Sequence, residues 1–535
     1  MLSLILALAI FPADLVIENA NVWSNGKLTL DTFVAIQNGR FVYIGKKDLG
    51  YVGVHTEVMH AKGKFLLPGF IDSHTHLMSG GVSLNALDLR GANTKAEFLR
   101  RIKDWAEKTP GKQTIVGSSW SAESWPDKSQ PTRQDLDSVT GEHPAVLYRM
   151  DGHSLILNSL ALKRLGITKD TKSPDGGSID KDPTTGEPTG LLRETAMGRA
   201  NFILPQATPQ AIEDGLRAAV KMANKHGITS VSEICSVGDL AKYAKYAVSV
   251  NPSLRFALYP TASNWTNEIK AIKGFQGVPG WVQANGIKAY MDGSLGSRTA
   301  WMLEPYTKPL ADQKSLTGLP RPGFTDGTYE RGIKEAAKAG LQVIVHAIGD
   351  RANRDILTMF EKCAPNLSSL RFRVEHAQHT TASDIVRFGK LGVIPSMQPY
   401  HKADDGRYCE EVIGTARSRT SYAYKDLLAS KASLAFGSDW PVVDANPWLG
   451  IEAAVTGKTL NGNLWMTHQN ITLDQALIAY TSAGAFAMKR EKELGQIKVG
   501  YMADFQILNQ SPFAKKLDWT SIHPEMLIIG GKVVY

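Results

Sequence analysis

Short apolar runs recur through the middle of the chain, and the stretches between them read as helix. Taking Phe65–Ile71 as the first, the others are Ala145–Arg149, Ile228–Glu233, Gly286–Tyr290, Leu341–Val345, Phe372–Glu375, Gly392–Ser396 and Ser433–Phe436. Strand and helix in alternation, repeated about eight times, is the pattern of an α/β chain closed into a parallel (β/α)8 TIM-type barrel. Such a barrel carries its chemistry at the C-terminal ends of the strands. The residues that follow each run are therefore the functional candidates.

The two ends of the chain follow a different rule. Leu15–Asn19, Phe33–Ile36 and Phe41–Gly45 are separated by Asn25-Gly26 and Asn38-Gly39. Asn-Gly between apolar runs signals a tight hairpin, because both residues tolerate positive φ. Ala503–Leu508, Met526–Ile529 and Lys532–Tyr535, with Gly530-Gly531 between the last two, repeat the pattern at the C-terminus. The expectation is a composite β-sandwich built from residues 14–65 and 495–535, flanking a barrel over 66–494.

Residues 1–13 begin with an apolar run, Leu2–Phe11. It is too short to span a bilayer, which takes about 20 residues, and it reads as a signal-peptide core without the usual basic flank. Export is the expectation, with a cytoplasmic protein the alternative. The net charge of +8 is spread over 535 residues, and no basic aromatic platform suggests nucleic acid. The expected partner is a small-molecule substrate, with no membrane span and with a homodimer as the assembly. Cys235, Cys363 and Cys409 form no close pair, which argues against a disulfide framework or a zinc–thiolate site.

The strand ends carry the chemistry. The first run leads into Asp72-Ser73-His74-Thr75-His76, and residues i and i+2 share a strand face, so His74 and His76 can grip one cation. The fifth run delivers His346, the sixth His376 and the eighth Asp439. Singly, a core histidine or a turn aspartate explains each; together they read as a site for one or two divalent ions, zinc foremost. Lys288 sits in the apolar fourth run. Burial lowers a lysine pKa and frees its amine, so Lys288 is either carbamylated by CO2 into an anionic bridge or paired with Asp292 or Glu233.

These residues lie in motifs that resemble the amidohydrolase superfamily, in the branch of N-substituted formamide deformylase. The motifs are PGFIDSHTHL at 68–77, RMDGHSLILNS at 149–159, GIKAYMDGSLGSRTA at 286–300, VHAIGDRAN at 345–353, VEHAQ at 374–378, SMQPYH at 396–401 and LAFGSDWPV at 434–442. The resemblance implies a (β/α)8 barrel with a composite sandwich, and metal ligands at His74, His76, His346, His376 and Asp439. Lys288 stands where the superfamily's carbamylated bridge falls. Tyr400 departs from relatives that often carry threonine there, which would reshape the substrate pocket.

The expected reaction is hydrolysis of a carbon–nitrogen bond other than a peptide bond, in a linear N-substituted amide or formamide, by metal-activated water with Asp439 as the proton carrier. The alternatives are a cyclic amide, a carbamate or a deamination substrate, or a non-catalytic binding barrel. His153, Arg298 and His401 are the candidates for substrate contact. Trp120, Trp125 and Trp301 are candidate pocket walls, and His379 a helix cap.

Overall fold

The computed structural model describes residues 12–249, 251–310 and 315–535. The expected leader lies outside these residues except for Pro12 and Ala13. Among the described residues no helix is long and apolar enough to cross a membrane.

The two chain ends form one eight-stranded sheet. Its order runs Lys532–Val533, Pro524–Ile529, Phe505–Leu508, Phe65–Pro68, Leu15–Ser24, Lys27–Gln37 and Arg40–Gly45, with Glu57–His60 pairing with Leu15–Ser24 off this path. The hairpins are those the sequence announces: Ser24 faces Lys27 and Gln37 faces Arg40. Asn25, Gly26, Asn38 and Gly39 all take positive φ, the backbone that two-residue hairpin turns need.

Eight parallel strands follow in chain order: β1 (Phe70–Thr75), β2 (Ile228–Cys235), β3 (Arg255–Pro260), β4 (Gly286–Tyr290), β5 (Gln342–Ala347), β6 (Arg373–His376), β7 (Ile394–Met397) and β8 (Ala435–Phe436). Ladders join β1 to β2, β2 to β3 and each neighbour from β4 through β8. A parallel bridge between Thr261 and Lys288 connects β3 to β4. The chain after β8 returns to β1, where Asp439 N–H donates to the His74 carbonyl at 2.7 Å.

Two expectations about these strands need correction. Phe65–Ile71 is not one strand: Phe65–Pro68 belongs to the terminal sheet, and the chain passes through Gly69 into β1. Ala145–Arg149 is not among the parallel eight. It lies in a separate six-stranded sheet with Leu87–Asp88, Ile115–Trp120, Ser154–Leu157, Pro188–Glu194 and Gly177–Lys181. That sheet is inserted between β1 and β2 and has its own apolar core around Phe98, Trp120, Trp125 and Leu147. The true third strand, β3, begins with Arg255, a charge that disguises a run buried throughout. An apolar run shows that a strand is covered, but not which sheet covers it.

Candidate metal centre

The site starts from the join between β1 and β8. Asp72 accepts hydrogen bonds from the His74 N–H at 3.1 Å, the Ser438 N–H at 2.9 Å and the Ser438 hydroxyl at 2.5 Å. Only glycine fits between them: a Cβ on Gly437 would lie 2.5 Å from the His74 nitrogen and 2.8 Å from Asp72 Oδ1. Burial raises the Asp72 carboxyl to about 6, against the pull of those donors. Just past this clamp Asp439 adopts φ of +59°. A non-glycine residue in that region carries strain that the surroundings must impose.

Asp439 is the hub. Its Oδ1 lies 3.2 Å from His76 Nε2 and 3.4 Å from His74 Nε2, and its Oδ2 lies 3.8 Å from His401 Nε2. Ligand atoms of His74, His76 and Asp439 fall within 4.8 Å of one another, and so do those of His376, His401 and Asp439. His346 completes the ring of imidazoles, its centroid 4.4 Å from that of His376. His76 is not on the strand itself; it occupies the N-cap position of the helix Leu77–Ser83 that follows β1, without a side-chain capping bond.

Partners behind the rings set their tautomers. His74 Nδ1 makes a short contact with Glu375, which is itself held by the Arg373 guanidinium at 2.7 and 2.9 Å. Nδ1–H donation to a carboxylate leaves Nε2 free to face Asp439, the arrangement that orients metal-ligating histidines. Burial would raise the Glu375 carboxyl, but Arg373 and His74 hold it at about 2. His346 gives Nε2–H to the Gly293 carbonyl at 3.1 Å, which leaves Nδ1 as its acceptor.

Burial lowers His74 to about 4, with Lys288 adding to the effect, and drives His346 and His376 well below the ordinary imidazole value. This lowering favours the neutral imidazole, the form that binds a metal. Burial works against ionisation of Asp439, yet the histidines around it outweigh burial and hold it well below the usual carboxylate range.

Lys288 is fully buried, and its Nζ lies 3.3 Å from His74 Nε2 and 4.8 Å from the Tyr290 ring centroid. Burial lowers it to about 8. Neither expected carboxylate partner is its neighbour. Asp292 accepts from the backbone of Trp301, Ile348 and Gly349. Glu233 accepts from the backbone of Leu77 and Met78 and from the Tyr243 hydroxyl.

The donor set fits a divalent cation. His376 Nδ1, His401 Nε2 and Asp439 Oδ1 are buried without a hydrogen-bond partner among the described residues. Buried polar atoms are nearly always satisfied, so orphans converging on one carboxylate mark a place for a ligand they share. Neutral imidazoles with a carboxylate suit zinc and similar borderline ions.

A cleft of about 380 Å³ opens on this ring. Its far wall comes from the inserted sheet: His153 turns between two of that sheet's strands, its Nδ1 3.0 Å from Glu194, which also pairs with Arg321 at 2.6 Å. Burial disfavours the charged imidazole, but Glu194 and Asp151 outweigh it and raise the His153 value. His153 therefore reaches the site from the inserted sheet rather than from a strand of the parallel eight. Arg298 does not line the cleft. Its guanidinium donates to the carbonyls of Leu295, Gly296 and Lys308 and stands 3.6 Å from Glu123. His379 bonds the Ser421 hydroxyl at 2.7 Å, and Thr381 caps the neighbouring helix instead. Trp120 and Trp125 pack in the core of the inserted sheet, and Trp301 meets Phe324 edge to face.

Glu194, Arg321 and Glu375 escaped the sequence reading. Glu375 was legible, since it directly precedes His376 in VEHAQ. Glu194 and Arg321 sit in no motif, and only the fold brings them together.

The sequence model of the amidohydrolase family matches residues 57–535. The chain belongs to that family, and it is an enzyme, a metal-dependent amidohydrolase. Among curated relatives, Protein LONG AFTER FAR-RED 3 of Arabidopsis thaliana is 34% identical over 98% of this chain and 92% of its own length. N-substituted formamide deformylase of Arthrobacter pascens is 25% identical over 93% of this chain and 94% of its own. Among solved structures, an uncharacterized metal-dependent hydrolase from Pyrococcus horikoshii superposes with a TM-score of 0.73 at 26% identity, covering 95% of this chain and 99% of that one.

Proposed function

We propose that the protein hydrolyses a carbon–nitrogen bond, other than a peptide bond, in a small linear N-substituted amide or formamide. The scaffold in this reading is a closed (β/α)8 barrel, beside a composite β-sandwich domain built from the chain ends. The chain order of the parallel strands and the return of β8 to β1 support the barrel. The observation that carries the reaction is the position of Asp439, an ionised carboxylate common to both groups of candidate ligands. The likeness to N-substituted formamide deformylase supports the substrate class.

His74, His76, His346, His376 and Asp439 would hold the cation, with His401 placed to join them. A divalent ion there supplies Lewis acidity to water and to the substrate carbonyl. Asp439 accepts the proton of the attacking water and returns it to the leaving nitrogen, which needs one carboxylate in reach of both atoms. Glu375 and Arg373 keep the His74 ring in place. His153, anchored by Glu194, orients the substrate from the opposite wall. Attack of the neutral Lys288 amine on CO2, with loss of a proton, would give a carbamate able to supply a second anionic ligand.

Metal content decides this reading. The purified enzyme should carry two ions per chain after bicarbonate treatment, as a two-metal site would. A chelator should abolish cleavage of N-substituted formamides, and added zinc should restore it. Activity that survives complete chelation would refute the mechanism, and one ion per chain whatever the bicarbonate would make Lys288 a structural lysine.

A further inference from the structure

The 380 Å³ cleft is not the largest space at this end of the molecule. A cavity of about 580 Å³ lies beside it, between the inserted sheet and the segments that follow β7 and β8. The two are continuous in their walls. A narrow gap lined by His153, His376 and Asp439 also touches Met150 and Val443, and both of these line the larger cavity. A substrate with its scissile bond at Asp439 therefore has one roomy direction in which to extend.

The chemistry of that space is cationic. Arg90, Lys128 and Arg407 line it, with Glu123 as the carboxylate among its walls. Lys128 is engaged by Glu411 at 2.6 Å, and Arg407 by Asp404. Glu123 is shared by Arg149 and Arg298. Arg90 differs from all of these. Its side chain donates to the Pro441 carbonyl at 2.7 Å and to the Ser119 hydroxyl at 3.3 Å, and no carboxylate pairs with it among the described residues. A half-buried guanidinium has five N–H donors in a rigid fork suited to a carboxylate, and here only neutral oxygens occupy it. Tyr400 lines the same cavity.

We propose that this cavity is the distal substrate subsite and that it selects substrates ending in an anionic group, received by Arg90 with the Tyr400 hydroxyl beside it. The inference rests on the reaction proposed above and specifies its substrate: an N-substituted amide whose far end carries a carboxylate. Arg90 holds the carbonyl of Pro441, two residues beyond Asp439, so the subsite is tied directly to the reacting end.

The test uses ε-formamidohexanoate and its methyl ester, which differ only in that terminal charge. Binding of each is measured by calorimetry with chelator-treated wild-type protein, Arg90→Gln and Arg90→Lys, so that no turnover heat enters, and cleavage is assayed separately on the untreated enzyme. Reading the acid-to-ester ratio within each protein cancels any general damage from the substitution. Wild type should bind the acid at least about tenfold more tightly, as a charge-assisted hydrogen bond provides. The ratio should collapse toward unity in Arg90→Gln and partly recover in Arg90→Lys. Equal binding of acid and ester by wild type, failure to bind either, or a ratio that survives Arg90→Gln would overturn the proposal. Because binding is read rather than turnover, selective binding of the acid without cleavage would retract the amide reaction and leave the subsite standing.

Discussion

Asp439 shows what a single residue contributes here. Its carboxylate is buried, ionised and without a hydrogen bond to Oδ1, while His74, His76 and His401 converge on it. Asp439→Asn keeps the shape and removes the charge. Loss of general acid–base transfer costs roughly a hundred- to ten-thousand-fold, so kcat on an N-substituted formamide should fall by at least that much. The backbone bond to the His74 carbonyl does not depend on the side chain, and the far-UV circular dichroism spectrum should not change. An Asn variant within tenfold of wild type would move the proton carrier elsewhere. Lys288 makes the complementary point. Its sequence context allowed a carboxylate partner or a modified amine, and the geometry removes the two named carboxylates without itself supplying the carbamate.

At the level of elements, the segment after β7 is tied down by a buried carboxyl. Asp405 ends the helix Pro399–Asp405, which also carries Tyr400 and His401. It accepts from the Gln378 amide and the hydroxyls of Tyr408 and Tyr422, each at 2.6 Å. Burial raises it from 3.8 to about 7, with the Asp404 charge adding to the rise. The folded state thus holds this proton more tightly than the unfolded chain does. The resulting stability is complete below about 3.8 and is lost as pH rises through about 7. Within that window the slope approaches 1.4 kcal/mol per pH unit, the value for one proton. Denaturant titrations of wild type and Asp405→Asn across the window should give stability differences that shrink as pH rises. Parallel profiles would mean that Asp405 titrates normally.

The sequence announced such elements unevenly. Histidines at strand ends were readable because each follows an apolar run directly, and the Asn-Gly turns because their backbone needs are local. The inserted sheet was not readable. Ala145–Arg149 has the same apolar character as a strand of the parallel eight, and its membership is decided by long-range pairing with Ile115–Trp120 and Ser154–Leu157. The Arg255 strand was missed for the opposite reason, since a buried charge looks like an exposed one until its partner is known.

That partner belongs to the whole molecule. Asp504, at the entry to the C-terminal strands, receives Arg255 in two bonds of 2.6 and 2.8 Å, and the same carboxylate accepts the Gly530 N–H at 2.8 Å. The guanidinium also donates to the Gly280 carbonyl and lies 4.3 Å from the Trp281 ring centroid. Nearby, Gly69 N–H donates to the Asp504 carbonyl where the chain passes from the terminal sheet into β1. One buried ion pair therefore joins the terminal sheet to the parallel strands that carry the candidate metal ligands. Removing one member of such a pair costs about 3–5 kcal/mol, because the other charge is left buried alone, whereas an apolar replacement of both is often near neutral. Asp504→Ala should lower unfolding stability by that amount, and Asp504→Ala with Arg255→Met should recover most of it. A single variant within about 0.5 kcal/mol of wild type, the usual range for surface changes, would show that this ion pair does not hold the terminal sheet to the strands. A single variant that unfolds in two steps, with the candidate metal ligands released in the second, would instead show that this pair makes the two parts one cooperative unit.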